Sequence, residues 1–257
     1  LAEVTGVKLA FGNVALEGDV SFDVKAGLKK AEFSMVALSP GDSAQLSVAP
    51  ADDGFQIRVR GQQLDFKPML QRFFSLSGES TGGPQATAVR QTLYLDVELD
   101  RAVGFYKTTA FNLNLELVLR GADLRKVILQ ANFGDGRNVS VATNPTPDGR
   151  VMSVAFNDLG TLLRLLNVYP NLEGGEGTLV VNTNTANKTD TGRFTLRRFA
   201  IVNEANVQQI MRTDRASQQM IERSNKLAFR AAEVDFIRRT DRVEITDAVL
   251  TGDTVGG

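Results

Sequence analysis

The side chains in this sequence best suited to chemistry are carboxylates. Asp96, Glu98 and Asp100 recur at every second position of a short apolar segment. Two carboxyl groups facing each other across a cleft can perform general acid–base work, glycoside hydrolysis being the standard case. Three acids at period two share one face of a strand instead, beside no base and no metal-ligating set. That spacing is expected of a solvated sheet face. The chain has no His and no Cys, which excludes the usual zinc sites, a thiolate nucleophile and a Ser-His-Asp triad. Gly134–Asp135–Gly136 begins like a nucleotide-binding glycine fingerprint but lacks the remaining glycine spacing and the helix that should follow, so it reads as a turn. The expectation is a non-enzymatic protein with no cofactor and no metal.

Charge narrows the partners. Lys and Arg total 29 against 30 Asp and Glu, for a formal net charge of −1. No global field attracts nucleic acid. With three Tyr and no Trp, stacking platforms for bases are scarce as well. A basic group of Arg197, Arg198, Arg212, Arg215, Arg223, Lys226 and Arg230 could meet anionic lipid head groups. Glu204, Asp214, Glu222 and Glu233 dilute it, so a solvated face is the expected role. No stretch approaches the roughly 20 apolar residues of a membrane-spanning helix, and no signal peptide opens the chain. The chain starts at Leu1 and stops at Gly257 inside a strand-and-turn pattern, as a segment of a longer protein would.

The elements that must position these residues are strands. Apolar residues alternate with polar ones through Thr92–Leu99 and Asn112–Leu117, and in Val20/Phe22/Val24, Phe55/Ile57/Val59, Leu129/Ala131/Phe133, Leu179/Val181, Phe194/Leu196 and Val243/Ile245. Side chains along a strand point to opposite faces in turn, so each segment buries one face and wets the other. Ser39–Pro40–Gly41–Asp42, Asp52–Asp53–Gly54, Asp135–Gly136 and Pro147–Asp148–Gly149 separate them at meander spacing. An antiparallel arrangement follows, because no regular helical crossovers are visible. Three segments break the alternation and predict short amphipathic helices: Phe66–Ser77, Asp158–Asn167 with Asp158 as N-cap, and Glu204–Ser224. Gly78–Gln85 reads as a flexible loop, the best candidate for a hinge or subdomain boundary.

From Gly121 onward the order of features resembles the C-terminal region of AsmA-like proteins. A strand leads into Gly134–Arg137, a second turns through Thr146–Arg150, and Asn157–Arg164 precedes Leu166–Tyr169. Glu173–Leu179 resembles the family's Gly-Gly turn opening a strand, and Phe199–Ala205 its strand leading into a helix. Phe229, Val234–Phe236, Val243–Ile245, Asp247–Ala248 and Gly252 resemble its closing strands. Glu204 departs from the pattern, standing where a small or proline-flanked residue is more usual. Residues 1–120 match in style only. Two regions are therefore expected: a repetitive β-sheet region over 1–120 and an AsmA-like C-terminal region over 121–257, continuous with the first sheet.

The resemblance implies a mainly β fold, an elongated, twisted antiparallel sheet forming an open, taco-like groove with about three helices. It implies a periplasmic protein anchored in the bacterial inner membrane by a segment outside this one. Phospholipid transport and outer-membrane homeostasis would be its task, with phospholipid acyl chains as partners and any envelope protein partner unspecified. Groove candidates are Leu93, Leu95, Val97, Leu99, Leu113, Leu115, Leu117 and Leu119, on two strands expected to pair. An ordinary filled core would need the same alternation. The alternative is therefore a structural or adhesive β-repeat scaffold with no lipid ligand.

Overall fold

The computed structural model describes residues 2–11, 14–23, 27–71, 91–121, 123–204, 226–239 and 242–252. Strands hold 76% of them, so the chain is mainly β. They form two compact units, Leu1–Gly134 and Asp135–Gly257.

The first unit contains β1 (Ala2–Phe11), β2 (Val14–Asp23), β3 (Gly27–Ala37), β4 (Ser43–Ala51), β5 (Gly54–Asp65), β6 (Thr92–Val103), β7 (Thr109–Arg120) and β8 (Asp123–Gly134). They lie side by side in chain order. Tight turns explain most of this order, since a strand that reverses at once pairs with its predecessor. In the β3–β4 turn, Asp42 accepts hydrogen bonds from the amides of Leu38 and Ser39, each at 2.9 Å, and from the Asp65 amide at 2.9 Å.

One pair departs from the expected antiparallel pattern. β5 and β6 are parallel, in register from Gly54↔Thr92 to Asp65↔Val103. A parallel pair needs a connection long enough to return the chain to the starting end of the sheet. The interval 66–91 supplies it. It opens with a helical turn, α1 (67–71), where the sequence pattern predicts a helix, and the Phe66 amide bonds to the Val103 carbonyl at 2.9 Å. The expected loop at Gly78–Gln85 lies outside the described residues.

The second unit contains β9 (Arg137–Thr146), β10 (Gly149–Phe156), the helix α2 (Leu159–Leu165), β11 (Leu172–Asn184), β12 (Thr189–Val202), β13 (Lys226–Arg238) and β14 (Val243–Gly252). Here every paired neighbour is antiparallel. Asp158 is the N-cap of α2, accepting from the Thr161 amide at 2.9 Å and from the Thr161 hydroxyl at 2.7 Å. Two helices are present among the described residues; the third expected one, from Glu204 to Ser224, falls almost wholly outside them, only Glu204 being described.

Candidate functional site

Cross-strand partners share a face, so the register assembles the alternating residues into rows. In the first unit one row runs Pro50–Phe55–Leu93–Leu119–Leu124 and the next Ala31–Val48–Ile57–Leu95–Leu117–Val127. A third is Phe33–Leu46–Val59–Val97–Leu115–Leu129, and a fourth Val36–Ala44–Gly61–Leu99–Leu113. These rows make one apolar face without a charged residue. The reverse face is charged. There Arg60 bonds Asp96 at 2.7 Å and Glu98 at 3.1 Å, and Lys126 bonds Glu116 at 2.7 Å. Asp96 and Glu98 of β6 thus belong to a charge ladder on the reverse face, where Asp100 is exposed.

All eight groove candidates lie in the four apolar rows, paired Leu93↔Leu119, Leu95↔Leu117, Val97↔Leu115 and Leu99↔Leu113. Their environments differ. Leu93, Leu95, Leu115, Leu117 and Leu119 are half-buried, whereas Val97 and Leu99 are 2% exposed and Leu113 is 8% exposed. Burial rises along β6 toward the end where the chain enters α1, and Leu64, Ala102, Ala110 and Phe133 are buried there too. The alternation slips between Ala110 and Leu113, where Asn112 has a φ of 49°. One end of the face is therefore sealed and the other accessible.

The second unit repeats this plan with different parts. Its rows are Val139–Phe156–Gly177–Leu196–Ala232–Leu250, Val141–Val154–Leu179–Phe194–Val234–Ala248 and Thr143–Met152–Val181–Gly192–Phe236–Ile245. Here α2 seals one end. Gly175, with a φ of 93°, brings its backbone so close that an added Cβ would lie 2.8 Å from Leu196 and 3.5 Å from the Leu159 Cβ. The Phe199 and Phe229 rings stack with centroids 5.0 Å apart, and Leu165, Leu172 and Leu227 are buried beside that end. At the other end Ile245 is 67% exposed.

Polar residues hold the seal in place. Asp158 is buried, and burial pushes its carboxyl up. The hydroxyl and amide of Thr161 and the Arg137 guanidinium at 3.3 Å outweigh that effect and hold it below the ordinary carboxylate range. Arg164 reaches from α2 to the Leu172 carbonyl at 2.8 Å. Glu204 accepts from the Tyr169 hydroxyl and the Asn171 side-chain amide, each at 3.1 Å. Burial and then the Glu204 hydrogen bond raise the Tyr169 phenol above its usual value.

Of the basic residues from Arg197 to Arg230, three have partners among the described residues. Arg198 pairs with Glu176, Lys226 with Glu173 at 2.6 Å, and Arg230 donates to the Gly252 carbonyl at 3.2 Å. Arg212, Arg215 and Arg223 lie outside the described residues. Sequence reasoning missed a different set. Above the Met152 row the same face continues as Pro145–Arg150–Thr183–Asp190–Arg238–Val243. The signal was present in the period: Arg150 stands two residues before Met152, and Arg238 two after Phe236.

Among the described residues no group of three or more His, Cys, Asp or Glu could hold a metal ion. No helix among them is long and apolar enough to cross a membrane. Comparison with family models, curated proteins and solved structures returns no match.

Proposed function

We propose that the accessible part of each apolar face binds phospholipid acyl chains, and that the chain is a non-enzymatic segment of an inner-membrane-anchored, periplasmic AsmA-like protein serving outer-membrane lipid homeostasis. One observation carries the reading: across six strands of the first unit, half-buried Leu, Val, Ile and Phe side chains line up in rows. Among the described strands the closest backbone approaches are between sheet neighbours, and α2 lies against β11. An apolar area of that extent calls for a partner. Hydrocarbon suits it, because each buried CH₂ contributes about 0.8 kcal/mol and needs no directional contact. The open groove belongs to this proposal, with Leu93, Leu95, Leu115, Leu117 and Leu119 on its accessible part and Val97, Leu99 and Leu113 at its floor.

The scaffold alternative draws on the sealed ends, which are packed as an ordinary core is. Crosslinking separates the two. Photoreactive residues at Leu95 and Leu115 should capture phospholipid co-purifying with the protein, read by mass spectrometry, while one at Glu116 on the charged face should not. Capture at none of the three, or equally at all of them, would leave the scaffold reading standing.

A further inference from the structure

We infer that the second unit takes its lipid with a fixed polarity, the anionic head group held by the basic row that crowns its apolar face. The inference rests on the lipid reading above and adds a head-group preference and a direction. Three apolar rows lead from the α2 seal toward the accessible end, and the next row on the same face places Arg150 and Arg238 two strand positions beyond Met152 and Phe236. Asp190 sits between them in the row, buried and bonded to Arg238 at 2.7 Å and 2.5 Å. The adjoining turns add Lys188, Arg239 and Arg242, with Asp148 as the acid. Glu244, at the start of β14, bonds Arg242 at 2.5 Å and pairs with Arg239 at 3.7 Å. Among the described residues the rim thus has five cations and three carboxylates.

An amphiphile is the occupant whose chemistry matches both halves. Its tails lie on Met152, Val154, Leu179, Val181 and Phe236, with their methyl ends toward α2. Its phosphate meets guanidinium groups, which bind phosphate oxygens in a planar, bidentate manner. A free anion would use only the rim, and a neutral hydrocarbon only the rows.

The test uses the whole chain and three soluble probes, followed by calorimetric titration. Dihexanoyl-phosphatidylglycerol and dihexanoyl-phosphatidylcholine share tails and differ in net charge, each added below its micelle concentration; inorganic phosphate tests the rim alone. The wild type should bind the glycerol lipid about fivefold or more tighter than the choline lipid, since a cation near an anionic lipid surface contributes roughly that factor. Arg150→Glu with Lys188→Glu should abolish the preference while leaving choline-lipid binding in place, and Arg150→Lys should keep most of it. The surviving choline-lipid binding also shows that the variant is folded. Equal binding of the two lipids by the wild type, or a preference unchanged in the double variant, overturns the head-group inference and spares the acyl-chain reading. Phosphate binding as tight as the glycerol lipid's also overturns it. Binding of neither lipid removes both.

Discussion

The two units use one plan and differ in how the ends of the apolar face are finished. In the first, the sealed end lies where β5 runs into α1, and the accessible end has Asp52, Asp53 and Asp123 with Arg120 and Arg125 nearby. Asp53 is occupied in holding the start of β6, accepting from the Thr92 hydroxyl at 2.6 Å and the Tyr94 hydroxyl at 3.0 Å. Those bonds, Thr92 first, keep the Asp53 carboxyl below its ordinary value and raise the Tyr94 phenol. In the second unit a capped helix forms the seal, and the accessible end is basic. An apolar face by itself has no preferred direction. Sealing one end and gathering cations at the other confers one in the second unit, whereas acids and bases are mixed at the accessible end of the first.

The sharpest way to break that comparison is to empty the sealed and accessible ends in turn. Leu99→Ala and Phe199→Ala should each destabilise by about 3–5 kcal/mol, because both side chains are buried and leave cavities. Leu93→Ala, at the accessible end of the same β6, should cost under about 1.5 kcal/mol by urea denaturation. Equal losses at Leu99 and Leu93 would mean the face is uniformly filled, and the two-ended description would fail.

A smaller effect tests tightness on the accessible side of the second unit. Gly192 lies under the Phe236 ring, where an added Cβ would sit 2.1 Å from the ring carbon Cζ. Gly192→Ala should destabilise by about 1–3 kcal/mol through overpacking, and Gly192→Ala with Phe236→Leu should recover part of it. No recovery would show that the ring is not what the new methyl group meets.

The α2 seal should be sensitive to acid. The carboxyl of Asp158 has a lower pKa folded than unfolded, so its stabilisation is complete above the unfolded value, near pH 4. It is lost as pH falls through the lower folded value. Acid titration of the urea midpoint should therefore fall more steeply in the wild type than in Asp158→Asn, below about pH 4. Asp158→Ala should cost about 1–2 kcal/mol at neutral pH, as loss of an N-cap does. Parallel acid profiles for wild type and Asp158→Asn would remove the carboxylate from the account of the seal. Least affected should be the charge ladder: Arg60→Gln is expected to change stability by less than about 1 kcal/mol, given how exposed its ion pairs are.

Much of this architecture was legible in residue order. Period-two alternation locates β6 and β7, and their matching leucines point to the pairing that the structure has. Asp158 was readable as a cap because a short acid ahead of an apolar helical stripe has few other roles. The parallel β5–β6 pair was not readable. Strand polarity depends on the path of the connecting segment, and alternation is identical in both directions. The basic rim was missed for a related reason. Arg150, Asp190 and Arg238 are far apart in sequence, and only the register between β10 and β13 puts them in one row.

Local chemistry alone therefore determined that this chain makes amphipathic strands with one apolar and one charged face, since side-chain direction along a strand is set by backbone geometry. It also determined the absence of thiol and imidazole chemistry, which is a matter of which residues are present. Tertiary pairing decided the rest: which rows align, which end is sealed and where the cations gather. Those outcomes depend on register and bulges, and a shift of one residue would have turned each apolar row to the opposite face.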